Sequence, residues 1–450
     1  MLIAGFLIAA GYVSYTDDVP LTAAARFVGR KIVLLAIEAG VRVYDPCKPR
    51  LAELGPGSEE TDPPPGALRA EEYFRALGER DTNGEGRLRA GKIENETIRR
   101  SPFRFYYQPH DEPRLHELRR RYRLDEVVAG ASDELEQMVR IRRWCRSQFR
   151  RKDYQPHTID FDALEVLDGN LRNDSDRPIN LPVDFDPCQF FPLLYCQVMV
   201  SMGHTARFVT IGHGMTEVWS NQYKKWVSMD AEMNWHYVKD GVPLNMMELR
   251  DENFAPKPTR VRIVRANQSA GDENTTMAHL KVKEIPVEAM LKYHLLDLAI
   301  VDMRNDWMTN HYFSGHPRQS DADGLAFEDP RVGPAKVLWS RHRPHTANRE
   351  DMYWTLNQTE IWVRDSSSAD RLELVLRTVT PNLDFFEVRV DGGRPIQSRG
   401  GSFAWTLHDG DNSLSVATVN KFGARGIAST VQLARDRPAA QTTAAGSRGP

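Results

Sequence analysis

The sequence predicts an α+β protein: a helix packed on an antiparallel sheet, followed by a β-sandwich. Two observations carry this. Residues 186–202 form a helical apolar stripe that runs directly into three strand-like segments, 206–211, 216–220 and 225–229. From about residue 353 the chain becomes a series of short runs that alternate apolar and polar with a period of two.

Taken in order, residues 1–15 are apolar without a side-chain charge, as in the core of a secretory leader. They are too short to span a bilayer as a helix. They are read as a signal peptide or membrane anchor, which places the protein in the periplasm, the cell envelope or outside the cell. A second apolar run at 32–37, set among charges, suits an amphipathic helix lying on a membrane or protein surface. Residues 16–131 are expected to be mostly helical around a Pro-rich linker that includes Glu59-Glu60-Thr61-Asp62-Pro63-Pro64-Pro65. The core is assigned to 132–265. It opens with a helix over 132–149, capped by Ser132, whose Leu135, Met138, Val139, Ile141, Trp144 and Cys145 recur at helical spacing.

An irregular connection, 266–350, follows, with a return to helix over 286–303. Residues 351–435 are assigned to an immunoglobulin-like β-sandwich. Leu372-Leu374-Leu376, Phe386-Val388-Val390, Phe403-Trp405-Leu407 and Leu414-Val416 mark its inward faces, and Gly- and Asp-rich turns separate them. Residues 436–450, rich in Ala, Thr and Gly, are read as a disordered tail.

Composition narrows the function. Lys and Arg number 59 and Asp and Glu 62, a net charge of −3, which gives no footprint for nucleic acid. Four cysteines, Cys47, Cys145, Cys188 and Cys196, do not make a disulfide scaffold. There is neither a C-x-x-C nor an H-E-x-x-H motif, so no metal or cofactor is expected.

The chemistry is expected within residues 181–237. Asp186 suits an N-cap and Pro187 the first helical position, so Cys188 falls in the first turn. Unpaired N–H groups and the positive end of the helix dipole favour a thiolate there. His213, just past the first strand, can serve as its base, and Asp230, at the end of the hairpin, can orient that base. Cys145 and Cys196 lie on apolar helix faces and are read as core. Glu217 is expected to support its strand or pair with Arg207, and Trp226 to pack behind the triad. His236 is expected to take a surface or core role in preference to lining the site mouth, and Trp144 to pack in the core in preference to serving as an oxyanion donor.

These residues stand in a wider pattern. Cys188, then Gly203 closing its helix and Ala206-Arg207-Phe208-Val209 opening a strand, resembles the transglutaminase-like superfamily, whose members show Gly-x-x-Ala-Arg-x-Val. His213-Gly214-Met215-Thr216-Glu217-Val218 is similar to its His-x-x-x-Glu-Val strand, and Trp226 to Asp230 to its Trp-x-x-x-Asp ending. The resemblance covers about residues 132–250 and implies a papain-like arrangement with a Cys188, His213 and Asp230 triad. It departs from many relatives at Asp184-Phe185-Asp186-Pro187, where they carry a Gly-containing loop.

The implied activity is cysteine-dependent amide hydrolysis or transamidation through a thioester. The substrate is a peptide or protein, with glycoconjugates or polysaccharides as further partners. The run from His213 to Trp226 also looks like peptide:N-glycanases, which makes deglycosylation one alternative. A non-catalytic binding or scaffold protein of the cell envelope is the other.

Overall fold

Short β-branched runs and apolar helices sort the chain into a mixed α+β structure, rich in antiparallel sheet. The computed structural model describes residues 63–78, 88–148, 162–172, 187–211, 213–256, 258–265, 299–309, 324–329, 331, 344–364 and 370–436. The expected leader or anchor at 1–15, Cys47, most of the Pro-rich linker and the tail from 437 onward lie outside these residues.

The first described segments are β1 (Ala67–Arg69), α1 (Ala70–Gly78), β2 (Leu88–Glu94), α2 (Pro113–Arg121), α3 (Leu124–Val128), α4 (Glu134–Ser147) and α5 (Ala163–Arg172). The cap of α4 lies one residue later than expected. Asp133 accepts from the Glu136 N–H at 2.8 Å, while Ser132 donates both its N–H and its hydroxyl to the Glu136 carboxylate. The capping box is thus shared between two neighbours: the charged Asp133 carboxylate caps the helix and Ser132 takes the Glu136 side chain.

Next come α6 (Pro187–Ser201), β3 (Ala206–Thr210), β4 (Gly214–Ser220), β5 (Lys225–Met229), β6 (Trp235–Lys239), β7 (Val242–Pro243), α7 (Met246–Phe254) and β8 (Val261–Arg265). β9 (Ile300–Asp302), β10 (Gly324–Phe327) and β11 (His345–Thr346) follow. One sheet runs in the order β11-β10-β9-β3-β4-β5, and a smaller one in the order β7-β6-β8. The helix expected over 286–303 therefore fails at its end. Ile300 and Val301 pair antiparallel with Thr210 and Val209, because β-branched residues there complete the open edge of β3.

Helix α6 lies against β3 and β4 and is buried on nearly all sides, not on one stripe. Its polar residues are satisfied inside the protein. Gln197 accepts from the Ala163 N–H at 3.0 Å, and the Ser201 hydroxyl donates to the Val198 carbonyl at 2.7 Å. The Tyr195 hydroxyl donates to the Met138 carbonyl at 3.0 Å, tying α6 to α4. Leu115, Leu118, Leu124, Met138, Ile141 and Cys145 from the flanking helices complete this core.

The remaining strands are β12 (Thr359–Arg364), β13 (Arg371–Thr378), β14 (Leu383–Val390), β15 (Ile396–Ser398), β16 (Ser402–Thr406), β17 (Gly410–Asn420) and β18 (Ser429–Arg435). They form sheets ordered β1-β12-β13-β16 and β15-β14-β17-β18-β2. The alternating residues singled out in the sequence face one shared core, among them Leu374, Val388, Trp405, Leu414 and Val416. Each fully buried aliphatic of this kind contributes about 1.5–3 kcal/mol. The expected start at 351 leaves out β1 and β2. They carry too few apolar residues to show a period, yet they cover the outer edges of β12 and β18.

Candidate active site

The core sheet brings His213 and Asp230 together. β3 and β4 pair antiparallel through Thr210 and Gly214, and the short turn between them carries His213. β4 and β5 pair in the register Thr216 with Met229 and Glu217 with Ser228. Asp230 follows directly, held by two backbone hydrogen bonds with Trp235, at 3.0 and 3.1 Å. Asn234, at a φ of 55°, lets this tight loop close.

His213 Nε2 lies 3.1 Å from Asp230 Oδ2, and both side chains are buried. The other carboxylate oxygen accepts from the Met233 N–H at 2.8 Å. The loop thus fixes the carboxylate, and the carboxylate fixes the ring. Buried charge-assisted contacts of this kind orient an imidazole strongly.

Cys188 is the second residue of α6. Its backbone stands in the first turn, as the sequence predicts; its side chain and the expected cap Asp186 lie outside the described residues. Pro192, inside the helix, has no N–H to give the carbonyl of Cys188 one turn earlier. Its own carbonyl accepts from the Thr216 hydroxyl at 2.7 Å, which pins the start of α6 to β4, the strand that follows His213.

The other two described cysteines are inert by comparison. Cys145 and Cys196 are fully buried free thiols, and burial pushes both well above the ordinary thiol range. His236 is also core. Its Nδ1 lies 3.0 Å from an Arg142 Nη1, and burial together with that cation lowers it to about 3. Trp144 packs beside Tyr122 on the rim of the helical core.

The motif residues Arg207, Glu217 and Trp226 serve architecture. Arg207 and Glu217 form a fully buried ion pair at 2.6 Å. The guanidinium sits 4.0 Å from the Trp226 ring centroid and 4.8 Å from that of Trp354, and donates to the Met352 carbonyl. Glu217 also accepts from the Tyr353 hydroxyl and the Met246 N–H.

Three site residues escape sequence reasoning. Arg142 and Arg146 project from the otherwise apolar face of α4 and are buried. Arg142 Nε donates to Asn234 Oδ1 at 3.3 Å, and Arg146 Nε to the Glu232 carbonyl at 3.0 Å, so both brace the loop that carries Asp230. Burial lowers Arg142 to about 10, while Tyr195 and Asp230 work to keep it charged. The third is Glu232, whose Oε2 lies 4.0 Å from His213 Nδ1. Two arginines one turn apart on an apolar helix face were the available signal for the first two. The hairpin register, continued past Met229, sets 232 opposite 213.

A cavity of about 640 Å³ opens at the other end of β4, beside Lys224, Glu96 and Gln358. There Lys224 and the Gln358 amide nitrogen both donate to Glu96. No group of three or more His, Cys, Asp or Glu among the described residues could hold a metal ion. No described helix is long and apolar enough to cross a membrane. Comparison of the chain with family models, curated proteins and solved structures gives no match, so the functional reading rests on the residues around His213.

Proposed function

We propose that the protein is a transglutaminase-like cysteine hydrolase or transamidase that acts on amide bonds of peptide or protein substrates. The supporting observation is the buried contact between His213 Nε2 and Asp230 Oδ2, beside a helix whose first turn carries Cys188. With Nε2 given to Asp230, Nδ1 is the nitrogen that serves the thiol, and the ring is held for that task by a carboxylate its own loop keeps in place.

In this reading the Cys188 thiolate attacks the amide carbonyl carbon, forming a C–S bond. Backbone N–H groups at the start of α6 receive the developing oxyanion. The C–N bond then breaks, and the His213 imidazolium gives its proton to the departing amine. A water, or a second amine in transamidation, loses a proton to His213 and attacks the thioester. The C–S bond breaks and the thiolate returns. A papain-like arrangement of helix and sheet suits this sequence of steps, and the apolar run at 1–15 favours action outside the cytoplasm.

The test is alkylation by iodoacetamide, read at the Cys188 peptide by mass spectrometry. Cys188 is expected to react at pH 6, where an ordinary thiol is almost wholly protonated. Cys188→Ala is expected to abolish turnover of peptide amides. A Cys188 that reacts only above pH 8, with no amide turnover by the wild type, would sink the proposal in favour of a scaffold. Release of glycan from a denatured glycopeptide would direct it to N-glycan removal.

A further inference from the structure

We propose that Glu232 is a positioning residue of this site, a second buried carboxylate that holds His213 in its charged form from the side opposite Asp230. The proposal rests on the cysteine reading above. Asp230 Oδ2 lies 3.1 Å from Nε2, and Glu232 Oε2 lies 4.0 Å from Nδ1. The ring therefore has a carboxylate beyond each of its nitrogens. At 4.0 Å the second lies outside hydrogen-bond length, so Glu232 acts on the ring as a charge.

The placement is not that of an incidental surface acid. Glu232 sits in the tight turn between Asp230 and Trp235, where a side chain would ordinarily reach solvent, yet it is 5% exposed. Burying a carboxylate is costly unless positive charge answers it. An imidazolium at His213 places positive charge 4.0 Å from this carboxylate, alongside the Arg146 guanidinium bonded to the Glu232 carbonyl. A thiolate nucleophile needs the same imidazolium beside it. Burial also keeps the interaction from being screened by salt.

The surrounding groups define what Glu232 works against. From α4, Arg142 and Arg146 face the same loop, Arg146 through the Glu232 carbonyl and Arg142 through Asn234, Met229 and His236. These cations disfavour a charged ring. From α6 comes the buried phenol of Tyr195, and from β6 the phenol of Tyr237, which burial and Asp230 keep protonated. Among the described groups around the ring, Asp230 and Glu232 are the carboxylates that offset the two guanidiniums.

The experiment follows the His213 ring by NMR between pH 4 and 10 in the full chain, for the wild type, Glu232→Gln and Glu232→Asp, with Cys188 alkylation measured in parallel. The wild-type ring is expected to titrate above the ordinary histidine value of about 6.5. Glu232→Gln should move that titration down by about one pH unit, the size expected for loss of one nearby carboxylate. Glu232→Asp, which keeps the charge, should stay near the wild type. A wild-type ring titrating at or below the ordinary value overturns the proposal, even if the glutamine variant does not fold. So does a glutamine variant whose curve superimposes on the wild type. If wild-type Cys188 lacks reactivity at pH 6, the cysteine reading itself fails; if it reacts and Glu232→Gln changes nothing, only the role of Glu232 is lost.

Discussion

Asp230 divides its two oxygens between His213 and the Met233 N–H, so neither is left to drift. Asp230→Asn keeps the shape but presents an N–H or a neutral oxygen to Nε2, which favours the wrong tautomer. Turnover is expected to fall by about 10⁴, with the fold intact by circular dichroism. His236 gives a different readout. Its value in the folded state, about 3, lies below the ordinary 6.5, so the unfolded chain takes up a proton that the folded one refuses. Its contribution to stability is complete above about pH 6.5 and declines as pH falls toward 3, by about 1.4 kcal/mol per unit. Urea unfolding of the wild type and His236→Asn, at pH 7.5 and pH 5, should show the wild type losing more. The asparagine keeps an acceptor for Arg142 and has no proton to take up.

Among the elements, α6 depends on how it stops. Gly203 has a φ of 90°, and a Cβ there would lie 2.7 Å from Phe422 Cβ, in the loop after β17. Gly203→Ala should therefore cost about 1–3 kcal/mol by chemical denaturation. Adding Phe422→Ala should return the part due to contact and not the part due to φ. That glycine was legible as a helix end, as were the strands around it, because β3, β4 and β5 alternate or end at turn residues. The strands β9 to β11 were not legible. They span two to four residues each and are held by the edge of an existing sheet, not by a pattern of their own. At the site, His213 and Asp230 could be read because a hairpin places strand ends side by side. Arg142 and Arg146 could not, since burial turns an apparent surface arginine into a loop support only once α4 has found its neighbours.

At the scale of the molecule, the Arg207 and Glu217 pair joins the core sheet to the segment that leads into the sandwich, through Met352, Tyr353 and Trp354. Glu217→Ala would leave a buried guanidinium without its carboxylate, and should cost about 3–5 kcal/mol in a denaturant titration. The sandwich is equally a property of distant parts. β1 borders β12 and β2 borders β18, and the Thr430 hydroxyl donates to the Glu94 carboxylate across 336 residues of sequence. A chain begun at residue 100 is expected to lose its cooperative unfolding transition and aggregate through the bared edges, while one begun at residue 63 keeps it. During synthesis, then, β2 leaves the ribosome long before its partner exists. It must wait, unpaired, while the whole core between β2 and β12 is made, and the sandwich closes last. Such late closure carries a large loop entropy and a slow rate. Cells making this protein would be expected to need a holding chaperone at β2 more than at the His213 and Asp230 hairpin.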